Sequence, residues 1–437
     1  MHSNREADRS SQSSLRGVAL ITGAATLALS GYEMIRSAAA SVFLAHYPAS
    51  RLPEALVMVP IAMFVLTWLF SIVLRRIGPG ATFMVTLMGS GLIMSLTAWG
   101  IRRGVPGTPF FMYIFAQAYI VIIVEQAWAF INSRLKPAQG KRWNGMIIAV
   151  STLGSIAGGI VTGRLSVSAG SERMIVIAAA LTIIAVFPVQ RGFRLSGTKH
   201  VRDERKTAGL GDHFAWDLLR NNATIRRLAL MVTAQQSVSV LLDIAFHRAL
   251  QSAMPLQDPR TAFLGYFWAG VNLFSLVLQL GLCPFLLSRV SLRRIHGAVP
   301  ILYGAAALAA VAFPLLPVLG FAFFLSKTVD YSVFRAAKEV LYIPLSFTGR
   351  YRAKMTVDAL IYRSTKGVMS GLLSLAGRVA GVLPLRLYPI LVVLLCGGWN
   401  RATRDLPEPD HPPGSERIDH KIQEHQNGRH GGGGRGG

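Results

Sequence analysis

Residues 55–74 read ALVMVPIAMFVLTWLFSIVL, with no charged side chain, and Arg75 and Arg76 follow at once. About 20 apolar residues in a helix cover the ~30 Å of hydrocarbon in a bilayer. A helix also satisfies its own backbone polar groups where water is absent. This run, closed by two arginines, therefore predicts a membrane-spanning helix. The pattern recurs along the chain, at 16–44, 81–99, 109–132, 143–163 and 173–190, then at 227–247, 262–287, 297–315, 317–341, 355–376 and 380–399. Twelve spans are predicted, although the first and seventh carry charges inside them.

Composition agrees with that reading: of 437 residues, 52% are hydrophobic and 15% charged, and the mean hydropathy is +0.43. Such a balance excludes most water-soluble enzymes. The net charge of +24 would raise nucleic-acid binding in a soluble chain. Here Lys and Arg sit in short clusters between apolar runs rather than on one folded face, so no nucleic-acid partner is expected. The clusters concentrate in alternate loops, which places both termini in the cytoplasm. The two cysteines, Cys283 and Cys396, lie in apolar runs and read as buried thiols without a disulfide.

The predicted organisation is an N-terminal tail over 1–15, a six-helix bundle over 16–190, a cytoplasmic linker over 191–226, a second six-helix bundle over 227–399 and a disordered tail over 400–437. Within the linker, FAWDLLRN fits either an amphipathic helix along the membrane surface, with Phe214, Trp216, Leu218 and Leu219 dipping into the interface, or an ordinary solvated loop. The tail is rich in Pro, His and Gly. Its histidines at 411, 420, 425 and 430 fit no compact metal site, and no metal or other cofactor is expected.

Sliding the second half onto the first pairs Gly154 with Gly367 and Gly158 with Gly371, so both halves carry a Gly-xxx-Gly step. At nearby offsets Glu33 meets Asp243, Arg36 meets His247 or Arg248, Glu125 meets Glu339 and Arg164 meets Arg378. Coincidences of this number suggest a duplicated six-helix unit. The glycine step reads first as a packing seam, because small residues let helix backbones approach in lipid.

Ionisable residues inside the spans are the sharpest functional signal: Glu33 and Arg36, Glu125, Asp243, Lys327, Asp330, Arg335, Lys338, Glu339, Asp358, Arg363 and Lys366. Each costs ~2.5–3.5 kcal/mol at a helix centre even on the mildest scale, so they must face one another or a wet cavity. Lys327 with Asp330, and Arg335 with Glu339, are spaced to share a helical face. Lys327, Arg363 and Lys366 gather near mid-depth against the single acid Asp330, which favours an anionic solute. Gln126, Asn132, Gln235 and Gln236 could add neutral hydrogen bonds. No Walker loop, HExxH, GxSxG or metal-spaced Cys and His cluster is present, so the chain is not expected to be an enzyme.

The stretch VDYSVFRAAKEVLYIPLSFTGRYRAKMTVDALIYRSTKG, residues 329–367, resembles the tenth-to-eleventh helix signature of the ATP/ADP translocase family of nucleotide exchange transporters. Similar echoes are GYEMIRSAAASVFL in the first span, VEQAWAFINSRLKPAQGKRWNG in the fourth and fifth, and LLDIAFHRALQ in the seventh. The resemblance implies a major facilitator fold, alternating access between two bundles, and nucleotide or related phosphate-bearing cargo. It departs from the family after Arg36, where Ala39 and Ala40 replace a basic residue and an acid, and over Asp243–His247, where the sequence is DIAFH. In this the chain looks like a divergent bacterial branch, and it implies a bacterial inner membrane.

Together these readings give an all-α membrane protein of two six-helix bundles that exchanges a small organic anion, with Arg36, Lys327, Arg363 and Lys366 binding it. Glu33, Glu125, Asp243, Asp330, Arg335, Lys338, Glu339 and Asp358 are assigned to charge pairing or coupling. The expected partners are the anion and the lipid bilayer, and the expected state is a monomer. Two alternatives use the same residues: a proton-coupled carrier of a non-nucleotide solute titrating on Glu125, Asp243 or Asp358, and a scaffold or sensor with a vestigial cavity.

Overall fold

The computed structural model describes residues 2–135, 137–196, 216–345, 347–404 and 406. The linker segment around Phe214 and the tail beyond 406 lie outside the described residues. Among those described, all regular structure is helical.

The first half comprises α1 (His2–His46), α2 (Leu52–Arg102), α3 (Thr108–Arg134), α4 (Pro137–Ala169), α5 (Ser171–Ile184) and α6 (Val186–Ser196). The second comprises α7 (Trp216–Asn221), α8 (Ala223–Ala253), α9 (Gln257–Val277), α10 (Cys283–Arg289), α11 (Leu292–Ala312), α12 (Leu316–Val329), α13 (Arg335–Val340), α14 (Phe347–Lys354), α15 (Tyr362–Ala380) and α16 (Leu387–Arg404). Helix occurs at each of the twelve predicted stretches, but the breaks fall elsewhere.

The stretches 55–74 and 81–99 form one long helix, α2, interrupted at Gly78, whose φ of 76° and ψ of 172° are non-helical. Glycine adopts that backbone without a Cβ clash, and Pro79 beside it cannot donate a helical N–H. The stretch 173–190 is divided near Ala185 into α5 and α6. Three later columns each contain a π-helical turn: Leu278–Leu282 between α9 and α10, Asp330–Phe334 between α12 and α13, and Met355–Ile361 between α14 and α15. Such turns insert a residue and rotate the remainder of the helix, often where function requires it.

Among the described residues eight helices, counting the broken Ala49–Arg102 as one, are long and apolar enough to cross a membrane. The columns running through α12–α13, α14–α15 and α16 fall outside that set. The first two hold the chain's densest internal charge, which lowers their hydropathy. The outer surface is apolar, with Phe64 74% and Trp68 57% exposed on α2. In water such a belt would aggregate, and in a bilayer it is solvated by lipid.

Buried apolar residues form two clusters. One lies wholly within residues 18–189. The other runs from Ile225 to Leu406 and takes in Phe43, Leu44, Leu52, Leu56 and Tyr113 of the first half. The two halves therefore merge where α1 ends and α2 begins.

Glycines set the closest helix contacts. A Cβ on Gly154 or Gly158 would collide with the backbone of Thr26 or Ser30, so α4 lies against α1 of its own half. One residue on, Gly159 would meet the Gly265 carbonyl at 2.7 Å, and Gly163 the Tyr266 ring at 2.6 Å. Those two join α4 to α9 across the halves. The second-half step does different work: Gly367 and Gly371 of α15 face Pro60 and Val57 of α2, at 3.0 and 3.8 Å.

Candidate functional site

A cavity of about 860 Å³ lies between the halves. Faces of eight helical columns wall it, α1, α2, α3, α4, α8, α9, α12–α13 and α14–α15, and the charged ones carry its chemistry. On α1, Tyr32, Glu33 and Arg36 share one side at three- and four-residue spacing and line the cavity. The Arg36 guanidinium carbon sits 3.2 Å from the ring centroid of Trp268 on α9, and its Nη1 is 3.6 Å from Glu33 Oε1. Asn272, one turn beyond Trp268, donates its Nδ2 hydrogen to the same Oε1 at 3.0 Å. The α1 charge pair is thus held from the opposite half by an aromatic face and an amide, a geometry suited to planar guanidinium.

On α8 the lining residues are Gln236, Ser239, Asp243 and His247. Ser239 Oγ accepts a hydrogen bond from Lys327 Nζ at 2.6 Å. The His247 Nδ1 lies 2.8 Å from Asp243 Oδ1 and 2.9 Å from the Asp243 carbonyl.

On the α12–α13 column Phe323, Lys327, Tyr331 and Arg335 follow at intervals of four and all reach the cavity. The π turn between α12 and α13 lets this stripe continue straight into Lys338 and Glu339, where an unbroken α-helix would carry it around the axis. The second such turn does the same for Asp358, Tyr362, Arg363 and Lys366. At this end Lys338 Nζ meets Asp358 Oδ1 at 2.6 Å, Tyr342 donates to the same oxygen at 3.2 Å, and Glu339 pairs with Lys354.

Ten of the twelve charges picked out in the sequence therefore share one cavity: Glu33, Arg36, Asp243, Lys327, Arg335, Lys338, Glu339, Asp358, Arg363 and Lys366. Glu125 and Asp330 do not line it. On α3 the lining stripe is Gln117, Val121, Val124, Trp128 and Ile131, and Glu125 is exposed on the neighbouring face. Asp330 is 5% exposed, with Oδ2 making no hydrogen bond. The expected Lys327–Asp330 pair is absent because the π turn begins at Asp330, and Lys327 bonds Ser239 instead. The expected Arg335–Glu339 pair is likewise replaced, since Lys354 from the next helix takes Glu339. Of the neutral candidates, Gln236 lines the cavity. Gln126 and Gln235 are buried with both amide atoms unpartnered, and Asn132 is exposed.

The charge balance follows from these pairings. Glu33, Asp243, Asp358 and Glu339 each have a basic partner. Lys327, Arg335, Arg363 and Lys366 line the same space and form no ion pair among the described residues. Sequence inspection passes over Ser239, Trp268, Asn272, Tyr32, Tyr331 and Tyr362, because neutral residues in apolar runs look like packing. Only the four-residue spacing of Trp268 and Asn272, matching that of Tyr32 and Arg36, hints at a shared face.

Polar contacts joining the halves gather at one end of the cavity. The Gln251 amide donates to the carbonyls of Leu44 and Tyr47 at 2.7 and 3.0 Å and accepts from Ala49 N–H at 2.8 Å. Asp258 Oδ1 receives both the Ser171 N–H at 2.8 Å and its hydroxyl at 2.5 Å. Gln257 donates to Glu172 at 2.7 Å, and Ser41 donates to the Gln257 carbonyl at 2.6 Å. The Gly159–Gly265 contact belongs to the same seam.

Comparison with known proteins agrees with a transporter architecture. No family model matches the chain. It is 22% identical over 317 residues to ADP,ATP carrier protein 3 of Rickettsia prowazekii (strain Madrid E), and to the protein of that name in Rickettsia felis. The alignment takes in 60% of this chain and 61% of the relative, so the chain spans about three fifths of the length of the curated relatives it matches. Among solved structures it superposes on a mutant of the nucleoside transporter NupG with a TM-score of 0.64 at 16% identity, covering 90% of this chain and 99% of that one. A bacterial homologue of the iron transporter ferroportin in an inward-facing state gives 0.63 at 15% identity, covering 90% and 98%. An auto-inhibited peptide transporter of the POT family gives 0.61 at 12%, covering 91% and 99%. These similar proteins are transporters and not enzymes. The chain is an all-helical, multi-pass membrane protein with the fold of major facilitator transporters.

Proposed function

We propose that the protein is a secondary active transporter of a small organic anion, with nucleotide or another phosphorylated metabolite as the cargo class. The carrying observation is the set of four cations, Lys327, Arg335, Arg363 and Lys366, that face the cavity with no carboxylate in ion-pair contact among the described residues. Uncompensated charge at membrane depth is costly, and a cargo bearing several negative charges offsets that cost. Arg36, stacked on Trp268, presents its guanidinium from the opposite half. Glu33, Asp243 and Asp358 hold neighbouring cations when the site is empty. Glu125, outside the lining, has no part in this scheme.

In this reading twelve helices cross the bilayer as two six-helix bundles, residues 16–190 and 227–399, which rock about the cavity. The seam through Gln251, Asp258 and Gly159 is the extracellular closure, both termini are cytoplasmic, and the chain works as a monomer in a bacterial inner membrane. The similarity to ADP,ATP carrier protein 3 supports a nucleotide-type cargo, and exchange is the expected mode.

The test is uptake of radiolabelled ADP, ATP and inorganic phosphate into proteoliposomes, with and without unlabelled nucleotide inside. Wild-type uptake that needs internal nucleotide and is lost in Lys327→Ala supports the reading. Folded, correctly inserted protein that moves none of the three contradicts it.

A further inference from the structure

His247 is the one histidine among the residues lining the cavity, and it is only 4% exposed. Its Nδ1 faces two oxygens of Asp243, the carboxylate Oδ1 at 2.8 Å and the backbone carbonyl at 2.9 Å. A carbonyl and a carboxylate only accept, so Nδ1 carries the hydrogen in the neutral ring. That leaves the lone pair on Nε2 as the place where a proton can add. The ring rests edge-on to Phe246 and Phe323, with centroids 5.1 and 6.3 Å away.

The charged and titratable groups around this pair come from four other columns. Lys327 of α12 and Lys366 of α15 lie within electrostatic reach of Asp243. Tyr32 of α1 and Tyr113 of α3 lie within the same reach of that carboxylate, and Arg36 of α1 lies within reach of Lys366. With a neutral imidazole, the Asp243–His247 pair carries one negative charge, which offsets one of the two lysines. Once Nε2 is protonated the pair is neutral, and both lysines are left for the cargo.

We propose that His247 is a proton site coupled to the cargo site: it takes a proton from the loading side as the anion binds and releases it with the anion on the other side. This rests on the anionic reading of the cavity. No bond in the cargo changes; the proton comes from water, resides on Nε2 and returns to water. Imidazole can add and give up a proton at one nitrogen while the other keeps its hydrogen bond, which is the chemistry this coupling asks for. Linkage makes it reciprocal: protonation strengthens anion binding by the same factor as the anion strengthens proton binding.

Calorimetric titration of the purified full-length protein with ADP and with inorganic phosphate, at about pH 6 and about pH 8, tests this. Three forms are compared: wild type, His247→Lys, which holds the charge permanently, and His247→Gln, which never carries it. Wild-type affinity is expected to fall about tenfold or more from the lower pH to the higher. His247→Lys should bind more tightly than His247→Gln at both, and these two forms should share one smaller pH ratio, that of the ligand's own titration. Because the ligands' own titration is common to all three, the difference belongs to residue 247. Binding with the same pH ratio in wild type and His247→Lys overturns the proton site and leaves the anionic reading standing. No binding of either ligand by any form, at either pH, overturns both.

Discussion

Arg36 shows what a single side chain contributes. Its guanidinium carbon lies over the Trp268 ring while one nitrogen is 3.6 Å from Glu33, so it is fixed in direction as well as charge. Lysine has the charge without the plane, and Arg36→Lys is therefore not a conservative change. Removing the ring costs about 1 kcal/mol or more at a desolvated site. Trp268→Leu should raise the half-saturating ADP concentration roughly fivefold or more in proteoliposome uptake; an unchanged value would show that Arg36 is positioned by other groups. The sequence discloses the charges at this scale because they interrupt otherwise apolar runs. It does not disclose their partners, since Asn272 and Ser239 are ordinary polar residues whose role depends on which helices meet.

Elements are legible from hydrophobic run length, and helix occurs wherever twenty or so apolar residues are expected. Breaks are legible only in part. Gly78 and Pro79 mark the interruption in α2 openly, but the π turns leave no residue signature, and they decide that the column bearing Asp330 turns that carboxylate away from the cavity. The glycine steps are visible as a pattern, while their partners are not: α4 uses its step against α1, and α15 uses its step against α2. The two steps should therefore differ in tolerance. Gly158→Leu places a side chain against the Ser30 backbone and should lower the melting temperature in detergent by several degrees or abolish folded protein. Gly371→Ala meets nothing nearer than a Val57 methyl at 3.8 Å and should melt within about two degrees of wild type. Equal effects from the two would contradict this packing.

At the scale of the whole molecule the asymmetry lies in where the halves are joined. The seam from Ser41 to Ala49 and from Ser166 to Glu172 on one side, and from Gln251 to Thr261 on the other, closes one end of the cavity with hydrogen bonds, and Asp258 supports three of them, two through its carboxylate and one through its carbonyl. Asp258→Ala leaves the Ser171 N–H and hydroxyl with fewer acceptors, and should shift the population toward the state open at that end. A cysteine introduced at Ser171 reports this well, because the native Cys283 and Cys396 are both buried. Its labelling by an impermeant maleimide should be several-fold faster in the Asp258→Ala background; equal rates would mean the seam is not the gate. No run of sequence announces this seam, since its residues are common polars at helix ends brought together only by the fold.

If the four unpaired cavity cations receive an anion, its affinity must depend on them individually. The decisive experiment is equilibrium binding of radiolabelled ADP to the purified protein, comparing wild type with Lys366→Gln and Arg363→Gln, and with Glu125→Gln as the charge change outside the lining. Loss of one charge-assisted hydrogen bond is worth roughly 1.5–3 kcal/mol. Each cation variant should bind at least about tenfold more weakly, while Glu125→Gln binds as wild type does. Unchanged affinity in both cation variants would contradict an anion site built on these side chains.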